Sequence, residues 1–469
     1  MDHSNRSDEV NLLSPTTPVE HSYRQSSKRY IVLTLACCLL VSVYYCYDNP
    51  SALESQMTDP NGDFRLTNVN FNLLYSVYSF PNIVLPLIGG LMIDFVGVRA
   101  AILLFCVFLI IGQLLVMLGG IYMEYWLLLL GRVFFGFGGE TVIVAQSTIV
   151  SKWFANQDLA FALAINHAVA LISGTLNAAI TPNLYEVNSN YFLPLFVGLI
   201  LCVGSYVAAV FLCYIDRLAD KKEGIYDVKL AESDKVHLSD LKKLNLTYWL
   251  LVMEASCIST AFFTLTGNAN DLLHTMFGMA NSTVGLYLML IYLIAALITP
   301  MIGKFCDKYG HRGSLILFPL CLFMVGLLVL SFYPSDIPSE ATFFPLFCVG
   351  LFYAGYAAIL WPSIPLVVDA KILGTAFGIL TSLGNLNLSL SPLIFGAIKG
   401  GTEYKEGYFW AIFFIMMQGV IALFCAAAVK VVDFRNGGVL DKVAKLPEQE
   451  YIKSLKQSLV RCVDKNLKY

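Results

Sequence analysis

Twelve stretches of about twenty mostly apolar residues run through the chain, at roughly 30–47, 69–92, 99–120, 125–148, 158–182, 192–215, 247–270, 284–304, 313–333, 341–366, 372–398 and 408–431. Each is long enough to cross the ~30 Å hydrocarbon layer of a bilayer as a helix. Inside lipid no water pairs with backbone N–H and C=O groups, so a run of this kind has to satisfy them within itself, as a helix does. Of the 469 residues 57% are hydrophobic and 13% charged, with a mean hydropathy of +0.68. A water-soluble domain of that composition could not cover its surface with polar groups. The sequence therefore predicts an all-α integral membrane protein.

The runs fall into two sets of six, and the chain repeats itself between them. Gly90-Leu91-Met92-Ile93-Asp94-Phe95-Val96-Gly97-Val98-Arg99 joins the second and third runs, and Gly303-Lys304-Phe305-Cys306-Asp307-Lys308-Tyr309-Gly310-His311-Arg312 joins the eighth and ninth. Gly, Asp, Gly and Arg keep the same spacing in both. The first Gly lets two helices approach, the second permits a tight turn, and Asp and Arg at the membrane edge can pair with each other or with a neighbouring helix end. A short polar hairpin in corresponding places of two halves is the mark of a duplicated transporter. It resembles the loop motif of the major facilitator superfamily, which implies twelve transmembrane helices in two pseudo-symmetric six-helix halves. The division expected is a tail (1–29), a first half (30–215), a linker (216–246), a second half (247–432) and a second tail (433–469), with the linker's seven basic and seven acidic residues in solvent. Asp94, Arg99, Asp307 and Arg312 are the candidate conformational gate.

Lys and Arg set the orientation. Loops on the N-terminal side carry Arg99, Lys152, the linker bases, Lys304, Lys308, Arg312 and Lys371, against Arg65, Lys399 and Lys405 opposite, so both termini are expected in the cytosol. The polar first thirty residues lack the apolar core of a cleaved signal peptide. Within them Asp8-Glu9-Val10-Asn11-Leu12-Leu13 has the form of an acidic dileucine sorting signal, carried by Asp8, Leu12 and Leu13. The 12 cysteines lie in apolar runs or on the cytosolic side, so no disulfide framework is expected. No metal, redox or nucleotide motif occurs, and no cofactor, enzymatic activity or nucleic-acid partner is expected. Asn281-Ser282-Thr283 is the glycosylation sequon on the far side.

Ionisable and amide groups inside the apolar runs are costly and mark function or helix-to-helix ties. In the fourth run Arg132 and Glu140 flank Gly136, Gly138 and Gly139 and read as binding or gating residues, or as structural ties. In the fifth, His167 lies at a depth near that of Glu140, so the two could pair as one proton-sensitive site, or His167 could simply pack. Asn177 in the fifth run and Asn268 in the seventh are further candidates, and Glu254 reads as a gate or a snorkelling contact near the cytosolic end. Tyr47, before Asp48-Asn49-Pro50, would wall the far mouth. Trp361-Pro362 would offer an aromatic surface beside a hinge.

Cys46-Tyr47-Asp48-Asn49-Pro50, Phe135-Gly136-Phe137-Gly138-Gly139-Glu140, Trp361-Pro362 and Leu373-Gly374-Thr375-Ala376-Phe377-Gly378, in this order, resemble the lysosomal dipeptide uniporters of that superfamily. The resemblance implies facilitated export of dipeptides or similar small zwitterions from lysosomes by alternating access. It also implies a single-pass glycosylated lysosomal membrane protein as accessory subunit. One position departs: where those proteins carry a fifth-helix arginine suited to a peptide carboxylate, this chain has Leu171. Arg132 or His167 would then serve, or the substrate differs. A carrier for another small metabolite, proton-coupled through Glu140, and a non-transporting sensor or scaffold are the competing readings.

Overall fold

The computed structural model describes residues 24, 26–62, 64–155, 158–223, 244–279, 281–332, 339–400 and 404–443. The candidate sorting residues Asp8, Leu12 and Leu13 lie outside them. The first six spans are α1 (Lys28–Tyr47), α2 (in two pieces, Asn68–Ser79 and Leu85–Val96), α3 (Val98–Tyr122), α4 (Tyr125–Phe154), α5 (Leu159–Asn188) and α6 (Phe192–Lys222). The second six are α7 (Leu246–Gly267), α8 (Asn281–Tyr309), α9 (Arg312–Leu315 continued by Leu317–Ser331), α10 (Phe343–Val367), α11 (Leu373–Gly400) and α12 (Tyr404–Arg435). Eleven described helices are long and apolar enough to cross a membrane, and the bent pair in α2 makes twelve. α1 packs on α5 and α6, and α3 on α4; in the other half α7 packs on α11 and α12, and α10 on α8 and α9.

The second span is broken where the sequence predicts a continuous helix. Leu73–Ile83 and Leu85–Val96 are bent by 44°, about a 3-10 turn at Pro81–Ile83. Pro81 and Pro86 have no N–H, so the carbonyls four residues before them, those of Val77 and Asn82, lose their helical donors. α10, in contrast, runs unbroken through Pro362 and Pro365.

The two halves meet along two seams, α2 against α11 and α5 against α8. Both start at the face that carries the repeated hairpins, where Gly97 (φ +105°) and Gly310 (φ +70°) make the turns. The seams close on bare backbone: a side chain on Gly90 would collide with the Gly374 carbonyl, and one on Gly378 with the Pro86 carbonyl. In the other seam a Cβ on Gly303 would lie 2.7 Å from the Ala160 carbonyl.

Two regions expected in solvent are packed. α6 continues to Lys222, which carries Asp216 and Asp220 into a buried cluster instead of a loop. Asp220 pairs with Arg99 at 2.8 Å, Lys152 at 3.2 Å and Arg24; Trp153 donates to Asp216 at 2.9 Å. Cations from three elements converge there, which offsets the desolvation of the carboxylates. After α12, Asp433 accepts from the N–H groups of Val439 and Leu440 at 3.1 and 3.2 Å, and Leu440 is buried. The carbonyls of Asp441 and Leu440 then accept from His311 N–H at 3.1 Å and Arg312 N–H at 3.2 Å. The tail's start is thus a strap over the second hairpin, held by unpaired N–H groups at the beginning of α9.

Candidate functional site

On the hairpin face each hairpin aspartate reaches across to the other half. Asp94 accepts from Gly374 N–H at 3.0 Å, Thr375 N–H at 2.6 Å and the Thr375 hydroxyl, at the first turn of α11. Asp307 accepts from Ala160 N–H at 3.0 Å and Phe161 N–H at 2.8 Å, at the first turn of α5. The first N–H groups of a helix have no partner inside it and carry its positive end, so a carboxylate there is held by charge and by hydrogen bonds together. The arginines differ. Arg312 donates to Asp307 at 2.8 Å and is fully buried. Arg99 leaves Asp94 alone and pairs with Asp216 and Asp220 at 3.4 and 2.8 Å.

Above this closed end lies a cavity whose walls come from α1, α4, α5 and α10, with Tyr44, Gln146, Asn166, His167 and Trp361 among its lining residues. Its polar floor is prearranged: Asn166 donates to Gln146 at 2.8 Å, and Gln146 donates to Ser147 at 3.0 Å. His167 stacks near Trp361, with ring centroids 5.2 Å apart, and Trp361 stacks on Phe377 of α11 at 5.8 Å. His167 bonds the Leu163 carbonyl through Nδ1 at 3.1 Å and does not meet Glu140. Of the two sequence readings, the packing one fits His167: its Nδ1 is taken by its own helix and its ring by Trp361, while Glu140 meets Tyr78.

Glu140 sits midway along α4 and is half-buried. Tyr78 donates to it at 3.3 Å, and nearby the Asn385 amide of α11 donates to the Asn82 carbonyl at 3.1 Å. No ion pair to Glu140 is found among the described residues. Arg132, its sequence companion, is placed differently. Its guanidinium is buried and donates to the carbonyls of Leu74 at 3.2 Å, Cys46 at 3.4 Å and Tyr47 at 3.1 Å. Rings of Tyr47, Tyr75 and Tyr78 surround it at 5.4, 5.1 and 5.0 Å. Cys46 and Tyr47 end α1, so Arg132 satisfies the unpaired, negative carbonyl end of that helix and is shielded by aromatic faces.

Three further candidates are placed away from the cavity centre. Asn177 is fully buried and accepts from Thr181 at 2.6 Å, beside Tyr45. Asn268 caps the end of α7, donating to the Thr264 carbonyl at 2.8 Å. Glu254 does not snorkel: it is 0% exposed and neither carboxylate oxygen has a partner among the described residues. It lies two turns inside α7, whose other faces are taken by α10, α11 and α12. Tyr78 and Asn385 were not picked out from sequence; the available signal was Pro86, which frees the Asn82 carbonyl for a donor on another helix.

The sequence profile of the Major Facilitator Superfamily matches residues 35–392. The human lysosomal dipeptide transporter MFSD1 is 30% identical over 431 residues, covering 90% of each chain. Its Bos taurus counterpart is 31% identical over 433 residues, 90% of this chain and 89% of the other. Among solved structures, the transporter FucP in the outward conformation matches with a TM-score of 0.61 at 14% identity, over 85% of this chain and 99% of its own. The proton:xylose symporter XylE, bound to 6-bromo-6-deoxy-D-glucose, matches with a TM-score of 0.66 at 12% identity, over 88% and 96%. A profile match over most of the chain, relatives that align over 90% of it and the shared helical fold agree: the chain belongs to the Major Facilitator Superfamily and is a multi-pass membrane transporter.

Proposed function

We propose that this transporter is a lysosomal uniporter that moves dipeptides or similar small zwitterions by alternating access, with both termini in the cytosol. The observation that carries the reading is Glu140: a carboxylate midway along a membrane helix, half-buried, whose hydrogen-bond partner among the described residues is the Tyr78 phenol. A carboxylate in low dielectric needs a cation to offset its desolvation, and a substrate ammonium supplies one. Arg132 is already engaged, so it serves the scaffold that shapes the mouth. The Asp94 and Asp307 clamps hold the cytosolic face shut in the state described, and their release lets the cavity face the cytosol. The names of the relatives support the substrate class and the compartment. A single-pass glycosylated lysosomal membrane protein is the proposed accessory partner, and Asp8, Leu12 and Leu13 the proposed address.

Uptake of a dipeptide panel into proteoliposomes, each with its N-acetylated counterpart and with or without a pH gradient, tests this. Transport of the free dipeptides alone, unaffected by the gradient, is the expected result; no dipeptide transport refutes it. A second reading, proton-coupled transport of another metabolite, is favoured by Glu254, a fully buried carboxyl inside a membrane helix with no hydrogen-bond partner among the described residues. Uptake driven by the pH gradient and abolished by Glu254→Gln would establish that reading.

A further inference from the structure

One face of α1 carries Leu40, Tyr44 and Asp48 at intervals of four residues. Leu40 and Tyr44 line the cavity, and the bond from Asp48 N–H to the Tyr44 carbonyl, 3.4 Å, carries that face one turn further toward the far mouth. α5 does the same: His167 and Ala170 line the cavity, and Gly174 follows Ala170 by four residues. The two extensions meet. A Cβ on Gly174 would lie 2.8 Å from Asp48 Oδ2, so the carboxylate rests on bare backbone from which any side chain would displace it. Asp48 also stands at the N-cap position of the short helix Asn49–Ala52, where an aspartate ordinarily accepts from the first N–H groups, yet its side chain makes no capping bond. It is half-buried, and among the described residues its carboxylate has neither a hydrogen bond nor an ion pair. Arg132 is close by but donates to the carbonyls of Leu74, Cys46 and Tyr47 instead.

We propose that Asp48 is a second cation subsite, which takes the basic side chain of a substrate whose amine is held by Glu140. This rests on the proposed function for the amine on Glu140, and adds to it a preference among side chains. A carboxylate at the wall of a membrane cavity is turned away from its local cap only at a cost, which a cation arriving from the far mouth offsets. The described residues that line the cavity include no Lys or Arg, and Arg132 is engaged by main chain. A basic side chain therefore meets an unpaired carboxylate, whereas an acidic one meets like charge at Asp48 and at Glu140. The spacing suits a short peptide. Arg132 and Glu140 are eight residues apart on α4, about 12 Å of helix, and Arg132 reaches the Tyr47 carbonyl next to Asp48. Two extended residues cover about 7 Å of that rise, and the stem of a lysine or arginine on the second residue covers the remainder.

The test titrates the purified full-length carrier with the peptides Ala-Lys, Ala-Ala and Ala-Glu, reading affinity from the rise in unfolding temperature in detergent. Ala-Lys should bind about tenfold tighter than Ala-Ala, the lower range of a charge-assisted hydrogen bond, and Ala-Glu should bind most weakly. Asp48→Asn keeps the shape and removes the charge, so it should abolish the Ala-Lys advantage and leave Ala-Ala unchanged. Gly174→Ala keeps the charge and displaces the carboxylate, and should abolish the advantage as well. Equal affinity for Ala-Lys and Ala-Ala in the unaltered carrier, or an advantage that survives Asp48→Asn, would overturn the proposal. A lower unfolding temperature of ligand-free Asp48→Asn with the advantage intact would make Asp48 a structural partner of Arg132, and overturn it too. If none of the three peptides binds, the dipeptide reading fails, and spermidine against butylamine becomes the deciding pair. A preference for spermidine that Asp48→Asn removes would keep Asp48 as a cation subsite; no preference would overturn it.

Discussion

Glu140 and Arg132 stand on one helix, and each is defined by what meets it. Glu140→Gln keeps the shape and removes the charge, so affinity for substrates with a free amine should fall by about 1.5–3 kcal/mol, the range of a charge-assisted hydrogen bond. N-acetylated analogues should lose little more than they already have; an equal proportional loss for both in transport assays would argue against amine recognition. Arg132→Ala should act through the fold. It strips donors from two carbonyls at the end of α1 and one within the first piece of α2, and thermal unfolding in detergent should show a loss of about 2–4 kcal/mol, with KM of the surviving protein unchanged. Both residues stood out in the sequence, since charge in an apolar run demands a reason. Their roles did not, because the partners of Arg132 are main-chain carbonyls, which every residue has and no motif announces. Asn385 was hidden for the converse reason: an amide in an apolar helix is ordinary until the proline opposite it is known.

Repeated hairpins need not be equivalent parts. Asp94→Ala removes only bonds that cross between the halves, two N–H donors and a hydroxyl. Asp307→Ala removes two crossing bonds and also leaves Arg312 buried without its carboxylate. Both variants should move the population toward a form open at the hairpin face by about 1–3 kcal/mol, read from spin-label distances there. Only Asp307→Ala should also lower the unfolding temperature, because an uncompensated buried cation destabilises whichever way the carrier faces. Equal unfolding temperatures would show that Arg312 finds another partner. The duplication, the hairpins and the twelve runs could be read from the sequence because each is a local pattern of apolar and turn residues. The difference between the hairpins could not, since it comes from Asp216 and Asp220 at the end of α6 and from the strap after α12, both distant in sequence.

The ends of the carrier are more firmly attached than their polarity suggested. Arg24 bonds Asp220 and Glu223, and Leu440 packs into the core near the second hairpin, so charged composition alone was a poor guide to what is solvated. Leu12 and Leu13 carry the proposed address in the cytosolic tail. Changing both to Ala should send the protein to the cell surface with transport intact; microscopy that still finds it in lysosomes would place the address elsewhere. The glycine contacts at Gly90, Gly374 and Gly378 bear on speed. At Gly90 and Gly378 backbone meets backbone, so at those points the α2–α11 seam parts and re-forms without a rotamer change, while Asp94, Thr375, Ser382 and Asn385 supply its side-chain hydrogen bonds. Friction at that surface is low, and the time for the carrier to turn over is set by a handful of hydrogen bonds at its rungs. Substituting Ala for Gly374 should therefore slow the cycle out of proportion to the one methyl group it adds.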